Sequence, residues 1–285
     1  MKILVTGSGG QVGSEIRRIS SNFFFEWVFA DYDSLDFLMI NQISEKLDKI
    51  NPDIIINCAA YTNVDNAETE FDKANTINNY ALGIISKWVS QKSSKLIHIS
   101  TDYVFDGTST DPLKEDSITN PLNNYGLTKL NGEFICIENN PESIIIRTSW
   151  VYSSYGKNFL KTMMNLMQKS KEIDVVNDQI GSPTYAGDLA KIIMHIINFE
   201  YWIPGIYNYS NQGKISWYDF AVTIREICGF DVLINPVKST HFDFKAKRPK
   251  YSLLNKNKIK NTFNLKIPYF KESLKKCISI LVNEK

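Results

Sequence analysis

The chain has 285 residues, enough for one large domain or two smaller ones, and 43% of them are hydrophobic, which supports a sizeable core. The formal net charge is +1, from 32 basic and 31 acidic residues. This balance favours neither nucleic acid nor a charged membrane surface, so we expect neither as a partner.

Cysteine and histidine positions bear on compartment and on metal binding. The cysteines form no C-x-x-C pair, which favours reduced thiols in a cytoplasmic protein; they are Cys58, Cys136, Cys228 and Cys277. The histidines have no metal-ligand spacing to the cysteines, and we expect His98 and His195 to be packing residues. With neither a signal-peptide pattern nor an apolar run of membrane-spanning length, we expect a soluble cytoplasmic protein.

The first thirteen residues read as a strand, a glycine turn and the start of a helix. The apolar run K-I-L-V-T leads into Gly7, Gly10 and Gly13, and an amphipathic segment follows. Glycines in this context allow a tight turn and let the backbone approach a pyrophosphate, while the helix N-terminus attracts the anion. The alternative is an ordinary tight strand-to-helix turn. We predict a dinucleotide-binding turn.

Strands and helices then alternate through the first half of the chain. Apolar runs end at Asp31, Cys58 and Thr101, and a long helix is predicted over 71–91. This alternation predicts a Rossmann-type, doubly wound parallel sheet in an α/β fold, with its ligand at the carboxyl ends of the strands. Gly7, Asp31, Ala60 and Thr101 all fall at such ends.

An acidic residue after the second strand bears on the choice of cofactor. Asp31 stands at the distance from the glycine turn where an acidic residue reads the adenosine ribose, which favours NAD(H). It could equally be a solvated residue at a strand end. Asp36 and Phe37 follow in S-L-D-F, where they would cover the adenine edge.

The stretch from Ile97 to Glu133 carries the predicted chemistry. Thr101 ends a strand, and Tyr125 and Lys129 are four residues apart after Pro121, so on a helix they share one face. A nearby ammonium lowers the pKa of a phenol, which could then give a proton to a developing alkoxide. Taken alone, the spacing also fits a tyrosine packed on the stem of a surface lysine.

The second half has a looser pattern. A strand over 143–152 carries Trp150 and Tyr152, and short strands and helices follow to the end of the chain. We predict a dinucleotide-binding domain over 1–150 and a smaller, interleaved α/β substrate-binding lid over most of 151–285. A segment near 183–200 is predicted to return to the first domain.

Nine stretches together resemble the dTDP-4-dehydrorhamnose reductase family, within the extended short-chain dehydrogenase/reductases, along essentially the whole chain. They are T-G-S-G-G-Q-V-G (Thr6–Gly13), N-C-A-A-Y-T-N-V-D (Asn57–Asp65), S-T-D-Y-V-F-D-G (Ser100–Gly107), N-P-L-N-N-Y-G-L-T-K (Asn120–Lys129), R-T-S-W-V-Y (Arg147–Tyr152), D-Q-I-G-S-P-T-Y (Asp178–Tyr185), G-I-Y-N-Y-S (Gly205–Ser210), S-W-Y-D-F-A (Ser216–Ala221) and R-P-K-Y-S-L-L (Arg248–Leu254). The third, the sixth and the last are the most specific to the family.

The resemblance implies a role for each matching residue. Tyr125 would be the proton donor, Lys129 would hold the nicotinamide ribose and lower the Tyr125 pKa, and Thr101 would orient the ketone oxygen. The residues implied to touch the sugar, besides Thr101, are Asp102, Tyr103 and Trp150. Those implied to line the cofactor are Gly10, Gln11, Val12, Asp36, Phe37, Ala60, Tyr61 and Thr62, in addition to Gly7, Gly13 and Asp31, which the strand and turn pattern places there.

The implied reaction is reduction of the C4 ketone of dTDP-4-dehydro-6-deoxy-L-mannose to dTDP-L-rhamnose, with NADPH or NADH. Some members of the family bind Mg through acidic residues at a subunit interface, and Glu15 and Asp188 match two such positions. The position aligned with a third is the apolar Ile280, which argues against a metal site. A homodimer stays open.

Two other functions share the same motifs. One is a related nucleotide-sugar ketoreductase or epimerase. Only the lid residues would distinguish such an enzyme from a dTDP-4-dehydrorhamnose reductase. The other is a non-catalytic dinucleotide-binding regulatory subunit, resembling that of methionine adenosyltransferase. The intact set of Thr101, Tyr125 and Lys129 favours an enzyme.

Overall fold

The computed structural model describes residues 1–283 and is built around a six-stranded parallel sheet. The strands are β1 (Lys2–Thr6), β2 (Glu26–Ala30), β3 (Ile54–Asn57), β4 (Lys95–Thr101), β5 (Ile144–Thr148), β6 (Val151–Tyr152), β7 (Glu172–Val176), β8 (Ile180–Gly181), β9 (Thr184–Tyr185), β10 (Gly205–Asn208), β11 (Ile215–Ser216) and β12 (Leu233–Val237). The helices are α1 (Gln11–Ile19), α2 (Ile40–Ile50), α3 (Phe71–Asn75), α4 (Ala81–Lys92), α5 (Asn124–Asn139), α6 (Phe159–Lys169), α7 (Ala186–Ile197), α8 (Trp217–Cys228), α9 (Asn257–Thr262) and α10 (Phe270–Asn283).

The strand order of the main sheet is β10-β5-β4-β3-β1-β2. The chain begins at β1, adds β2 on one side, then builds β3, β4 and β5 on the other, so the order reverses between β1 and β3. A crevice opens at such a reversal, outside the carboxyl ends of the strands. The predicted Rossmann-type, doubly wound parallel sheet is confirmed.

Side chains alternate between two buried faces of this sheet. Ile3 and Val5 pack in the same cluster as α1 and α7, whereas Leu4 packs with α2 and α4 on the opposite face. The Ile54–Ile56 stretch of β3 is buried throughout, as expected for a central parallel strand covered by helices on both sides. This double burial holds the carboxyl ends of β1, β3 and β4 in one rigid row.

A second core belongs to a smaller unit, here called the lid, made of α6, α8, α10, β7 and β12. β7 and β12 form a two-stranded parallel sheet, and apolar residues including Phe220, Ile224 and Leu274 fill the space between it and the helices. Ser216 and Asp219 form a reciprocal capping box that fixes the start of α8. The start of α8 therefore has a defined position beside the crevice.

The structure departs from the predicted elements in three places. The single strand predicted over 143–152 is divided into β5 and β6, because Trp150 has a positive φ of 49°. The helix predicted over 71–91 is present, but a π-helical turn, Thr76–Tyr80, separates α3 from α4. β10, which follows the predicted returning segment along the chain, pairs with β5 and adds a sixth strand to the main sheet. The domain boundary at residue 150 stays a prediction.

Within residues 1–283, every helix is too short or too polar to cross a membrane.

Candidate active site

A cleft of about 780 Å³ lies along the carboxyl ends of β1 to β5 and is closed on its far side by Trp217 of the lid. Most of the residues predicted from the sequence line it: Gly7, Gly10, Gln11, Val12, Asp31, Asp36, Phe37, Ala60, Thr62, Thr101, Asp102, Tyr103, Tyr125, Lys129 and Trp150. Gly13 and Tyr61 lie outside its lining. Chain segments far apart in sequence thus form one continuous wall.

The glycine turn between β1 and α1 is shaped for close backbone approach. Gly7 has φ of +63°, and a Cβ there would lie 2.6 Å from Ala59 Cα. A Cβ at Gly13 would lie 2.5 Å from the Gly7 carbonyl oxygen, so Gly13 brings α1 against the turn. Gly10 precedes α1 in extended conformation, and no side chain caps the helix. The first amides of α1 therefore face the cleft as an anion site.

The adenine end of the cleft is built from the loop after β2. Asp31 is exposed, and its backbone N–H donates to Ser34 Oγ at 3.0 Å. Asp36 Oδ1 accepts from the Leu38 amide at 2.8 Å, which tightens the loop and buries the Phe37 ring. An exposed carboxylate beside a buried aromatic ring can contact a ribose hydroxyl and an adenine edge together.

The start of α5 fixes the position of Tyr125. Asn123 caps this helix by accepting from the Gly126 amide at 2.8 Å. A Cβ at Gly126 would lie 2.2 Å from the Tyr103 carbonyl oxygen, so only glycine lets α5 approach the segment after β4 so closely. The Tyr103 and Tyr125 rings meet edge to face, 5.8 Å between centroids. The phenol is thereby held at the end of β4.

Burial raises the pKa of Tyr125 to about 12, with its hydrogen bond to Thr101 opposing the shift. The predicted lowering of this pKa by Lys129 is therefore wrong. The physical reason is that the Lys129 Nζ contacts His98 Nε2 at 3.0 Å and donates to the Ile99 carbonyl at 2.8 Å. Burial also lowers the pKa of Lys129 to about 8. Tyr125 thus keeps its proton throughout the neutral range.

Asp102 is a second acid in the cleft, at the end of β4. It is 2% exposed, Thr101 Oγ1 donates to its Oδ1 at 3.3 Å, and its Oδ2 has no hydrogen-bond partner within residues 1–283. Burial raises the pKa of Asp102 to about 7, and interactions with the Ser252 and Thr101 side chains oppose the shift. A carboxyl group that lines a cleft can bind a hydroxyl group of a ligand.

Trp150 is held between the main sheet and the lid. Its ring stacks on Trp217 with centroids 3.7 Å apart, and a Cβ at Gly181 would lie 2.9 Å from the Trp150 ring. The positive φ at Trp150 turns the chain at this point. Trp217 lines the cleft but was not among the predicted site residues; the signal was its place in the S-W-Y-D-F-A stretch.

A smaller groove of about 290 Å³ lies between Tyr103 and the lid, lined by aromatic rings and by Arg248. The Arg248 guanidinium pairs with Asp65 at 2.7 Å and lies 3.9 Å from the centroid of the Phe244 ring. Arg248 was not among the predicted site residues either, although the R-P-K-Y-S-L-L stretch begins with it. A groove with stacking surfaces and one guanidinium can take a flat ring and a phosphate.

Asn78 in the π-helical turn joins the cleft wall to α5. It donates to Thr128 Oγ1 at 3.0 Å and exchanges hydrogen bonds with the backbone of Tyr61. A Cβ at Gly132 would lie 2.2 Å from the Asn78 carbonyl oxygen, so the backbones are in close contact. Asn78 thus fixes the 59–62 segment against the helix that carries Tyr125. π-Helical turns are frequent at functional sites.

The two histidines predicted to be packing residues have different surroundings in the structure. His195 contacts the Phe263 carbonyl oxygen at 2.8 Å and packs beside Phe199. His98 is buried but joins a polar chain with Asn57 and Lys129, so packing alone does not describe it.

Glu15 and Asp188, the two carboxylates matched to metal positions, are both used inside the chain. Glu15 is fully buried, pairs with Arg18 at 2.7 Å and accepts from Ser153 at 2.7 Å. Asp188 accepts from Asn211 at 3.0 Å and from Ser273. Within residues 1–283, no group of three or more His, Cys, Asp or Glu side chains could hold a metal ion. These carboxylates tie α1 to the chain after β6, and α7 to α10.

The fold and the cleft define the class of protein. A glycine turn at the reversal point of a parallel sheet, opposite a threonine, a tyrosine and a lysine, is the arrangement of a dinucleotide-binding reductase of the short-chain dehydrogenase/reductase type.

Residues 1–283 match the family described as "RmlD substrate binding domain". The chain is 36% identical to the dTDP-4-dehydrorhamnose reductase of Aggregatibacter actinomycetemcomitans, covering 96% of this chain and 97% of the relative. It therefore belongs to the dTDP-4-dehydrorhamnose reductase family.

Solved structures agree with this assignment. The crystal structure of a dTDP-4-dehydrorhamnose reductase from Clostridium acetobutylicum superposes with a TM-score of 0.94 at 38% identity, covering 99% of each chain. That of a dTDP-4-dehydrorhamnose reductase from Bacillus anthracis in complex with NADP gives 0.93 at 37% identity, covering 97% of this chain and 98% of that one.

Proposed function

We propose that this chain reduces the C4 ketone of dTDP-4-dehydro-6-deoxy-L-mannose to dTDP-L-rhamnose, with NADPH or NADH as the reductant. The observation that carries the proposal is the meeting of Thr101, Tyr125 and Lys129 with the glycine turn in one cleft. Membership of a reductase family along the whole chain supports the same reaction.

The residues of the cleft fit a dinucleotide. The uncapped amides of α1 and the tight turn at Gly7 suit a pyrophosphate, and the Asp31–Phe37 loop suits an adenosine. When bound, the reduced nicotinamide supplies the hydride that C4 of the sugar accepts. The Bacillus anthracis relative was solved with NADP, and Asp31 alone does not select between the two cofactors.

Tyr125 is the proposed proton donor. Because burial raises the pKa of Tyr125 to about 12, the phenol is protonated at neutral pH and can give its proton to the new C4 oxygen. Thr101 is hydrogen-bonded to both Asp102 and Tyr125, which places its hydroxyl where it can orient the same oxygen. Lys129, on the same face of α5, holds the ribose next to the reacting carbon.

The proposed sugar site lies between Asp102, Tyr103 and Trp150. The carboxyl group of Asp102 lines the cleft and can bind a sugar hydroxyl, and the stacked Trp150 and Trp217 rings cover the cleft from the lid side. The groove beside Arg248 extends from Tyr103 and has the size and chemistry for a thymine ring and a diphosphate. In this proposal the nucleotide binds beside the lid, and the ketone lies at the carboxyl ends of the sheet strands.

We also propose that the reaction takes place in the cytoplasm, without nucleic acid or membrane partners. All four cysteines are free thiols in the structure, which suits a reducing compartment. Whether the chain forms a homodimer is tested by measuring the molar mass of the purified protein in solution by light scattering.

The function is tested by mixing the purified chain with the 4-keto sugar nucleotide and NADPH or NADH, and by following the loss of reduced-nicotinamide absorbance. We expect rapid oxidation and formation of dTDP-L-rhamnose, identified by NMR. Dinucleotide binding without oxidation of either cofactor would contradict the proposal and favour another sugar nucleotide or the regulatory alternative.

A further inference from the structure

Lys129 ends a chain of buried polar groups that runs beneath the cleft. His98 Nε2 lies 3.0 Å from Lys129 Nζ, and His98 Nδ1 lies 3.0 Å from Asn57 Nδ2. Asn57, His98 and Lys129 are each 1% exposed. Bulk water therefore does not reach these groups, and each contact between them has to join one donor to one acceptor.

The backbone fixes which way the Asn57 amide points. The Ala59 backbone N–H, which can only donate, lies 3.2 Å from Asn57 Oδ1, and Thr6 Oγ1 lies 2.6 Å from the same oxygen. The oxygen of Asn57 is thus the atom facing Ala59, and its NH₂ group faces His98. Because an amide NH₂ only donates, His98 Nδ1 accepts and carries no proton.

A neutral imidazole with a bare Nδ1 carries its proton on Nε2. That proton points at Lys129 Nζ. An ammonium group has only donors, so a charged Lys129 would place two donors against each other. An uncharged amine has one lone pair: it can accept from His98 Nε2–H and still donate to the Ile99 carbonyl at 2.8 Å.

We propose that Asn57 holds His98 in the Nε2–H tautomer, and that His98 thereby favours the uncharged amine form of Lys129. His98 is then a positioning residue that sets the pH range over which the active-site lysine carries its charge. It touches neither substrate nor cofactor and acts through Lys129.

The other titratable groups that face Lys129 all favour its charged form, and burial opposes them. Glu133 and Cys136 lie on α5 with it, and Cys58 faces it from the end of β3. Glu133 favours the charged form, but its carboxylate is paired with Arg147 at 2.7 Å, which compensates the negative charge. Burial lowers the pKa of Lys129 to about 8 and that of His98 well below its usual value, in agreement with the assignment.

The consequence for turnover rests on the proposed function. If the charged lysine is the form that holds the ribose, the rate of reduction falls as pH rises through about 8. An ordinary lysine would keep its charge to about pH 10.4. The proton assignment itself does not depend on the reaction.

The first test is nitrogen NMR on the full chain labelled with ¹⁵N-histidine, without substrate or cofactor. The chain has three histidines, and the His98 signals are assigned by their absence in His98→Gln. We expect a protonated Nε2 and a bare Nδ1 between about pH 6 and pH 9. A proton on Nδ1, or on both nitrogens, would overturn the proposal, whether or not the chain proves to be a reductase.

The second test reverses the tautomer. In Asn57→Asp the carboxylate can still accept from the Ala59 amide but now accepts from His98 Nδ1–H as well, so Nε2 becomes an acceptor for the lysine ammonium. We expect the Lys129 titration, followed by ¹³Cε NMR, to move up by about one pH unit or more, a tenfold change in proton affinity. The high-pH limit of turnover should move with it.

Thr6→Val is the matched control, because it removes a hydrogen bond to Asn57 without changing which atom of Asn57 faces His98. Its Lys129 titration should stay at the wild-type position. If Asn57→Asp raises the Lys129 titration while His98 keeps its proton on Nε2, the added charge alone explains the shift and the proposal fails. If Asn57→Asp does not fold, the tautomer measured in the wild-type chain decides.

Discussion

The sheet wall of the cleft and its lid wall are built from different interactions. The sheet wall, formed by the ends of β1 to β5 and by α5, is fixed by backbone contacts: glycines at 7, 13 and 126 meet neighbouring backbone atoms. The lid wall is formed by Trp217, with Phe159, Phe244 and Arg248 around the adjoining groove, and is held by ring stacking and one ion pair. The proposed reacting groups stand on the sheet wall together with Asp102 and Tyr103 of the proposed sugar site, and the groups proposed to bind the nucleotide stand on the lid side.

The largest expected effect is the loss of turnover in Tyr125→Phe, which removes the proton donor from the sheet wall. We expect a fall in kcat of about a thousandfold, within the range for loss of a general acid, and cofactor affinity changed by less than about twofold. Steady-state kinetics and dinucleotide titration by fluorescence measure both. A rate near that of the wild type would remove Tyr125 from its assigned role.

A pH-dependent effect on stability should follow from Asp102, also on the sheet wall. Burial raises the pKa of Asp102 to about 7, so between about pH 4 and this value the folded chain binds one more proton than the unfolded chain. Wild-type stability from this group therefore falls as pH rises through that range. Asp102→Asn does not titrate, so its advantage over wild type should grow from pH 5 to pH 8, by up to about 3 kcal/mol.

Denaturant unfolding at both pH values measures this difference. Asp106→Asn serves as the comparison, since hydrogen bonds within its own turn lower the pKa of Asp106. That variant should lose stability relative to wild type above about pH 4. An Asp102→Asn advantage that is equal at both pH values would mean that the Asp102 carboxyl does not titrate in this range.

A clash in the glycine turn should have the next largest effect. Gly7→Ala places a Cβ 2.6 Å from Ala59 Cα at a φ of +63°, so we expect a loss of about 2 kcal/mol in the free energy of unfolding, together with weaker dinucleotide binding. Gly9→Ala is the matched control, because its Cβ would meet no atom within 4 Å. It should change the free energy of unfolding by less than about 0.5 kcal/mol. Equal losses in the two variants would contradict the account of this turn.

The smallest expected effect is on the lid side. Trp150→Ala removes the ring that stacks on Trp217 at 3.7 Å, and we expect the KM for the sugar nucleotide to rise about tenfold, equivalent to about 1.4 kcal/mol. The KM for the dinucleotide should rise much less. Trp202→Ala, which changes a half-buried ring whose Nε1 donates to the Glu142 carbonyl, should leave both constants unchanged. A larger rise for the dinucleotide would place Trp150 away from the substrate.

The same division explains what could be predicted from the sequence. The sheet wall follows local rules, so the glycine spacing and the run from Thr101 to Lys129 predicted its fold and most of its lining. The lid wall depends on contacts between distant segments, so the S-W-Y-D-F-A and R-P-K-Y-S-L-L stretches marked the regions of Trp217 and Arg248 but not which of their side chains face the cleft or the groove. The prediction that Lys129 lowers the pKa of Tyr125 was wrong for a related reason. The helical spacing between the two residues does not reveal that Tyr125 is buried or that Lys129 contacts His98.

β10 shows the same limit at the level of the fold. Its sequence, G-I-Y-N, resembles the short strands around it, and only its pairing with β5 places it in the main sheet. The division of the predicted strand over 143–152 also escaped prediction, since a positive φ at a tryptophan has no signal in the sequence.

The central claim, reduction at C4 by groups on the sheet wall, is tested most directly by isotope transfer. The enzyme is incubated with the 4-keto sugar nucleotide and a reduced cofactor that carries deuterium at the transferable position of its nicotinamide, and the product is analysed by NMR and mass spectrometry. The account predicts dTDP-L-rhamnose with one deuterium, located at C4 of the sugar. Deuterium at another carbon, or cofactor oxidation without deuterium in the sugar, would contradict it.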